Sequence, residues 1–344
     1  MLQWRVAEMG LRRAATGNSE MHRRSDNTTL AIVISVVALI LFDLMGLLIK
    51  YLSTDYRAVE LSAYRNIFGL VPSALALWMT TSWRCNGAKL RLRQWRLAVW
   101  RGVAVTFAQL LFYLSLGLMA FATATTISYS TALFTAALAV PILGERVGLV
   151  RWLAVAIGFV GVVMISQPGA DTFEWTALLP VGAAALYAFT AVTARLVDPE
   201  VPTPLFNLYS SATAAVGAIV LALMFGGFTP IASLGDFGLI VLMGAFGGSA
   251  VLCLVVSFRM TEPSNLAPFT YFGIPIAFAL GWLFFAEAPV NDLFPGVLLL
   301  VGGGLLIVYR ERRTSRAQTH AADDPGSGVS HAETARRPDR SDTT

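Results

Sequence analysis

The stretch ATATTISYSTALFTAALAVPILGE, from Ala122 to Glu145, decides the fold. It is apolar enough to cross a membrane, yet six of its first ten residues are Ser or Thr. A related stretch, NLAPFTYFGIPIAFALGWLFFAE, runs from Asn265 to Glu287. Aligning the two terminal carboxylates, at a spacing of 142 residues, also aligns Tyr129 with Tyr271. The recurrence predicts two copies of one structural unit.

The composition places both copies in lipid. Of 344 residues, 56% are hydrophobic and only 13% are charged, which is too apolar for an ordinary soluble domain. A helix needs about 20 mostly apolar residues to cross the hydrocarbon core with its backbone groups bonded internally. Ten such segments predict an all-α polytopic membrane protein with ten transmembrane helices. They are 30–50, 58–79, 97–118, 122–143, 149–167, 175–195, 204–225, 237–258, 263–286 and 291–309.

Charge placement predicts the orientation of these helices, because Lys and Arg concentrate in cytoplasmic loops. If the N-terminus is cytoplasmic, 21 of the 25 Lys and Arg residues fall on that side. Both termini are then cytoplasmic, with a basic tail at 1–29 and a polar, disordered tail at 311–344. Five helices per copy is an odd number, so the copies at 30–168 and 169–310 form an inverted repeat. Inverted repeats are typical of secondary transporters, in which two similar halves expose a central site to each face in turn.

Missing residue types disfavour other classes of protein, and a membrane-embedded channel or enzyme stays as a more remote alternative. All three histidines lie in the tails, and the two cysteines are isolated from each other, so neither a metal site nor another cofactor is expected. The spans contain no catalytic cluster, which disfavours an enzyme. The sequence has no phosphate-binding GxxxxGK loop, so ATP is not expected to drive the protein directly. It also has no ring of charged residues, which disfavours a channel. The basic face is explained by topology and anionic lipid, so no nucleic acid is expected.

The span from about 30 to 310 resembles the ten-helix EamA branch of the drug/metabolite transporter superfamily. The resemblance is carried by FDLMGLLIKYL, ELSAYRNIF and RGVAVTFAQLLFYLSLGLM in the first three helices, by GERV after the fourth, and by AEAP with VGGGLLIVYR in the second half. It implies a multi-pass carrier of small metabolites in the bacterial inner membrane. The amino-acid sequence of the first four helices is similar to that of S-adenosylmethionine uptake proteins. Riboflavin uptake and amino-acid export are the alternatives, and the oligomeric state, a homodimer included, stays open.

Charged residues within spans are costly and are candidates for a functional site. Asp43 and Arg65 lie at similar depth, about 9–10 Å from the outer face, on consecutive helices. They are predicted to form an ion pair, either one that opens to a charged substrate or a permanent structural one. Glu60, at the outer start of the second helix, is either a proton-coupling site with Asp43 or a solvated cap. Arg101 is expected to extend to the cytoplasmic headgroups.

Polar and aromatic residues near mid-membrane complete the predicted substrate site, because a phenol there needs a partner that lipid cannot supply. The predicted substrate-binding residues are Asp43, Arg65, Gln109, Tyr113, Tyr129, Tyr187 and Tyr271. Aromatic walls suit a planar or cationic ligand. Pro268 and Pro275 bracket Tyr271 and predict a bend there, whereas Glu145 and Glu287 are expected to cap the next helix or hold a turn.

Overall fold

The computed structural model describes residues 28–79, 92–144, 148–166, 175–198, 201, 203–261 and 263–323, and this part of the chain contains helices and no strand. Thirteen α-helices are labelled in chain order. They are α1 (Thr28–Leu52), α2 (Ala58–Met79), α3 (Trp95–Leu118), α4 (Phe121–Ser128), α5 (Thr131–Leu143), α6 (Leu149–Ser166), α7 (Leu178–Thr193), α8 (Thr203–Met224), α9 (Leu234–Met260), α10 (Pro263–Thr270), α11 (Gly273–Phe285), α12 (Val290–Leu293) and α13 (Gly296–Asp323).

Eight helical segments of the described chain are long and apolar enough to cross a membrane, and they match eight of the ten predicted spans. The other two predicted spans coincide with α2 and α13. Helix α2 has the length of a span but carries Glu60 and Arg65. The apolar part of α13 is short, Gly296–Tyr309. The chain therefore has the helical layout of a multi-pass membrane protein.

The C-terminal helix differs from its prediction. Helix α13 continues to Asp323, so residues 311–323 are helical and their assignment to a disordered tail is wrong. The start of the predicted N-terminal tail, Glu145, and residues 324–344 lie outside the described residues.

The fourth and ninth predicted spans are each interrupted at equivalent positions. Helix α4 ends one residue before Tyr129, and helix α10 ends one residue before Tyr271. At both interruptions an amide bonds to the carbonyl three residues back: Ser130 to Ile127 at 2.9 Å and Phe272 to Phe269 at 3.0 Å. Such bonds are those of a tighter 3₁₀ turn, which is common where a helix changes direction. The interruptions thus recur at the predicted spacing of 142 residues.

The two interruptions have different sequence causes. The bend predicted at Tyr271 from its flanking prolines is confirmed. The interruption at Tyr129 was not predicted, since no proline adjoins it. Its cause lies in the hydroxyls: Thr131 Oγ1 donates to the Ser128 carbonyl at 2.7 Å, and Ser128 Oγ donates to the Ala124 carbonyl at 3.0 Å. Back-bonding of this kind competes with helical hydrogen bonds and bends helices.

Helices α6 and α13 pack closely through equivalent glycines. A Cβ at Gly161 would overlap backbone atoms of Gly296 and Leu300, and a Cβ at Gly303 would overlap backbone atoms of Ala154 and Gly158. Ala154 and Gly158 are the residues 142 positions before Gly296 and Leu300. The contact is therefore reciprocal, as in an interface around a two-fold axis. Small residues allow this close approach of two helices in lipid.

Candidate substrate-binding site

The two interruptions face each other. The rings of Tyr129 and Tyr271 lie 6.3 Å apart between centroids, at an angle of 45°. The Tyr129 hydroxyl lies against Gly273 and the Tyr271 hydroxyl against Gly304, where a Cβ would overlap the oxygen. The Tyr271 hydroxyl is buried and has no hydrogen-bond partner. An aromatic pair with an unsatisfied polar end therefore lies between the two halves.

Asp43 of α1 is a buried carboxylate within electrostatic range of Tyr129. Its side chain is only 4% exposed, and Oδ2 has no hydrogen-bond partner. Its carboxylate lies close enough to Tyr129 to interact with it electrostatically. Burying a carboxylate without a partner is costly, so such a group signals a ligand or a proton.

Arg65 of α2 lies in a second polar group. Its Nη1 donates to Asn66 Oδ1 at 3.2 Å, whereas its buried Nε has no hydrogen-bond partner. The side chain lies against Gly247 of α9, where a Cβ would overlap the guanidinium. It is close enough to Tyr113 and Tyr187 to interact electrostatically with both phenols. A guanidinium in this setting can bind an anionic group of a ligand.

The predicted ion pair between Asp43 and Arg65 is wrong for this structure. In the described part of the chain, ion pairs within 4.0 Å join Lys50 to Glu287 and Arg57 to Glu60. The two residues lie at equal depth, but depth does not determine which neighbouring helix each side chain faces. Asp43 is near Tyr129 of the fourth predicted span, whereas Arg65 lies against α9. Two opposite charges inside the bundle thus remain without a charged protein partner among the described residues.

Gln109 and Tyr113 of α3 join the group around Arg65. Gln109 Oε1 accepts a hydrogen bond from Asn66 Nδ2 at 2.7 Å, and Asn66 Nδ2 also donates to the Ser62 carbonyl at 2.9 Å. Tyr113 is 1% exposed, and its hydroxyl has no hydrogen-bond partner. Asn66 was missed in the sequence, although a polar amide next to an arginine inside a span is a signal. It links Gln109 to Arg65 and holds the guanidinium in place.

Five of the Ser and Thr hydroxyls of the opening stretch fall into two sets. Those of Ser128 and Thr131 bond back to their own helix. Those of Thr125, Thr126 and Ser130 are buried without a hydrogen-bond partner. The second set surrounds the interruption at Tyr129, so it offers the polar atoms that a bound metabolite needs.

Two further charged residues differ from their predictions. Glu60 is 0% exposed and accepts hydrogen bonds from the amide and hydroxyl of Thr229, each at 3.0 Å, so it is not a solvated cap. Arg101 Nε donates to the Thr190 carbonyl at 3.0 Å, and its guanidinium lies 5.0 Å from the Phe206 ring centroid. Arg101 is therefore held between helices by a carbonyl and an aromatic ring, rather than extended to headgroups.

Glu287 forms a connection that the sequence did not predict. It binds Lys50 Nζ at 2.7 and 2.9 Å and accepts from the Phe121 amide at 2.9 Å. It therefore caps α4 in the other half of the chain, whereas the expectation was that it caps the helix that follows it or holds a turn. The pairing could not be read from sequence because Lys50 and Glu287 are 237 positions apart.

Multi-pass helices around buried polar residues are typical of membrane transporters, and comparison with known proteins gives the family. The EamA-like transporter family model matches residues 29–167 and again 174–309. Because these matches cover most of the chain, the protein belongs to this family and is a membrane transporter of the drug/metabolite transporter superfamily.

The relatives of this protein are named for the transport of different substrates. An S-adenosylmethionine uptake transporter of Rickettsia bellii is 28% identical over 77% of this chain and 88% of its own length. A riboflavin transporter of Rhizobium johnstonii is 35% identical over 51% of this chain, and that match spans 57% of the relative's length. The pseudopaline exporter CntI of Pseudomonas aeruginosa is 25% identical over 80% of this chain and 93% of its own length.

A solved structure shares the fold. It is titled "Crystal structure of protein" and covers 83% of this chain and 98% of its own, with 19% identity and a TM-score of 0.58.

Proposed function

We propose that this protein is a secondary transporter that takes S-adenosylmethionine, or a metabolite of the same chemical type, into a bacterial cell by alternating access. One observation carries the proposal: Asp43 and Arg65 are opposite charges inside the bundle, and neither is paired with a charged residue of the described chain. A ligand that bears both a cation and an anion would offset both. S-adenosylmethionine combines a sulfonium, an ammonium and a carboxylate with a planar adenine.

Each part of such a ligand has a candidate contact. Asp43 would attract the cationic part, and Arg65, oriented by Asn66 and Gln109, would bind the carboxylate. The tyrosines would stack against the planar adenine. Their aromatic faces would also attract the cationic part of the ligand. The relatives named for S-adenosylmethionine uptake match most of the chain, which supports this assignment.

The topology proposed for this carrier is ten spans with both termini in the cytoplasm. The spans form two inverted repeats, 30–168 and 169–310, in the inner membrane. The excess of Lys and Arg in alternate loops supports this orientation, and the recurrence of the helix interruptions 142 residues apart supports the repeat. In this orientation the C-terminus of α1, with Lys50, lies at the outer face. A net positive substrate then gains about 2.3 kcal/mol per charge for each 100 mV of inside-negative potential.

Riboflavin is the second candidate substrate, favoured by the Tyr129–Tyr271 pair and by the relative named for it. A neutral flavin would stack on the tyrosines and make no use of the two charges. Export remains a further alternative because one relative is named as an exporter.

An uptake panel in proteoliposomes tests the proposal. The purified protein is reconstituted and assayed with labelled S-adenosylmethionine, riboflavin and amino acids, with and without an inside-negative potential. We expect saturable S-adenosylmethionine uptake that the potential accelerates. Potential-independent riboflavin flux alone would replace the first candidate with the second. No saturable flux of any panel member would contradict both.

A further inference from the structure

The Lys50 end of the molecule, defined here as the end holding the C-termini of α1, α3 and α11, is closed by contacts between the two halves. At its surface, Lys50 Nζ binds both oxygens of Glu287 and also donates to the Met119 carbonyl at 2.8 Å. Glu287 in turn accepts from the Phe121 amide. Four chain segments, namely α1, the turn after α3, the start of α4 and the end of α11, are therefore tied together by two side chains.

A second layer lies directly beneath this ion pair. Phe121 is 1% exposed and contacts Phe285, with 6.4 Å between ring centroids. The Phe121 ring lies against Gly46 of α1, so a side chain there would crowd it. Lys50 Nζ lies 5.1 Å from the Phe285 ring centroid, which joins the two layers through a cation–π contact.

The tyrosine pair forms the third layer. Tyr129 follows Phe121 by eight residues, about 12 Å along a helix at 1.5 Å per residue. From the Lys50 end inward, the ion pair comes first, then Phe121 and Phe285, and then the tyrosine pair. A cavity of about 400 Å³ opens at this end and is lined in part by Lys50, Asp55 and Phe285.

Among the described residues, the opposite end shows less helix packing between the halves. Helix α4 packs against α11 at the Lys50 end. The counterparts of α4 and α11, shifted by 142 residues, are α10 and α5. Among the described residues, those two are not one of the extensively packed helix pairs. Because the described parts of these equivalent elements pack more extensively at the Lys50 end, the halves differ in this contact, as a carrier closed on one side requires.

We propose that the Lys50–Glu287 ion pair is the latch of this closed end, and that its opening releases α4 from α11 and admits substrate to the tyrosine pair. The pair suits this role because its side chains are 13% and 29% exposed, so water can solvate the charges once they separate. A fully buried pair would be too costly to break during each cycle, and a fully exposed one would hold too weakly. Substrate bound at Asp43 and Arg65 would bias the equilibrium that the latch sets.

Accessibility of a buried reporter cysteine tests the latch. Cys85 and Cys253 are replaced by serine, and Ala124, which is fully buried in the cluster that contains Phe121, is replaced by cysteine. Labelling by a membrane-impermeant maleimide added outside the cell is then compared with and without Glu287→Gln. We expect about tenfold faster labelling in E287Q, which corresponds to about 1.4 kcal/mol lost from the closed state.

Several variants make the result specific. Lys50→Gln should accelerate labelling as E287Q does, whereas Lys50→Arg should keep the labelling rate near that of the parent. The reversed pair K50E/E287K should be labelled more slowly than either K50E or E287K alone. Asp55→Asn is the matched control, because it removes a carboxylate beside the same cavity and leaves the pair intact. Gel filtration identifies misfolded variants, and K50Q serves if E287Q fails to fold. Unchanged labelling in the folded charge-neutral variants, or equal acceleration by D55N, would overturn the proposal.

The inference rests on the proposed transport function and orientation, but its failure can be told apart from theirs. Thr54→Cys, in the exposed turn after α1, reports orientation directly: it should label from outside. The labelling assay needs no substrate, so a shift in E287Q without flux in the uptake panel would support the latch and reject the substrate. Normal flux with no shift in labelling would support the substrate and reject the latch.

Discussion

Tyr129 and Tyr271 face each other at 6.3 Å between ring centroids, although 142 residues separate them in the chain. Each lies at the interruption of its own helix. Residues at equivalent positions of two copies can meet only near the axis that relates the copies. The axis therefore passes close to the two rings, and a ligand bound there contacts both halves. Such a location lets one site be exposed to either face by movement of the halves.

Gly273→Ala should impair transport strongly. A Cβ at this position overlaps the Tyr129 hydroxyl, so the Tyr129 ring must shift from its place in the tyrosine pair. Overpacking of this kind costs about 1–3 kcal/mol, and we expect uptake to fall about tenfold. Tyr129→Phe in the same protein should lessen the loss because it removes the nearest atom. Gly238→Ala is the control, since no atom lies within 4 Å of its added Cβ. Equal uptake by G273A and G238A would contradict the placement of Tyr129.

Asp43→Asn should abolish the preference for cationic substrate. The buried carboxylate is the negative group near the tyrosine pair, and a charged interaction of this kind contributes about 1.5–3 kcal/mol. We expect kcat/KM for S-adenosylmethionine to fall about 10- to 100-fold. Riboflavin flux, if present, should change little. Asp55→Asn, an exposed carboxylate, should leave both fluxes unchanged, and normal S-adenosylmethionine uptake by D43N would remove Asp43 from the site.

Arg65→Gln should raise KM for substrates that carry a carboxylate. Its guanidinium has an unsatisfied Nε and no described carboxylate partner, so the loss should fall on the ligand rather than on a protein ion pair. Competition by 5′-methylthioadenosine, which lacks the carboxylate, should be unaffected. Gln109→Leu should give a smaller rise in KM, because it frees Asn66 and only loosens the guanidinium. An equal loss of binding for both ligands would instead indicate general damage.

Gly303→Ala should destabilise the protein, whereas Gly302→Ala should not. A Cβ at Gly303 overlaps the backbone of α6, but one at the adjacent Gly302 meets no atom within 4 Å. The expected cost is about 1–3 kcal/mol for G303A. Thermal unfolding in detergent, followed by tryptophan fluorescence, measures it. Similar melting temperatures for the two variants would contradict the close α6–α13 contact.

Much of the helical layout followed from residue type alone. Apolar length predicted segments that the structure builds as helices, and the 142-residue register placed both helix interruptions at matching tyrosines. The bend at Tyr271 was also predictable, because proline removes a backbone hydrogen bond. The interruption at Tyr129 was not, since six hydroxyls could either bond back to the helix or face a ligand, and only their positions around the axis separate the two uses.

The site was predicted as a set of residues but not as an arrangement. Depth along the helix brought Asp43 and Arg65 to one level, yet rotation about each helix axis decides which neighbour a side chain meets. That rotation placed Asp43 beside Tyr129 and turned Arg65 toward Asn66 and Gly247. The ion pair expected between them is therefore absent from the described residues.

The sequence by itself determined that this chain is a membrane protein, that it crosses the lipid repeatedly as helices and that it consists of two related halves. It could do so because hydrophobic length and charge distribution act locally along the chain. Only the tertiary structure decided which charges stay unpaired and which, like Lys50 and Glu287, meet across the halves. The reason is physical: a charge inside a bundle is stabilised by whatever lies within a few ångströms, and helix packing sets that neighbourhood between residues far apart in sequence.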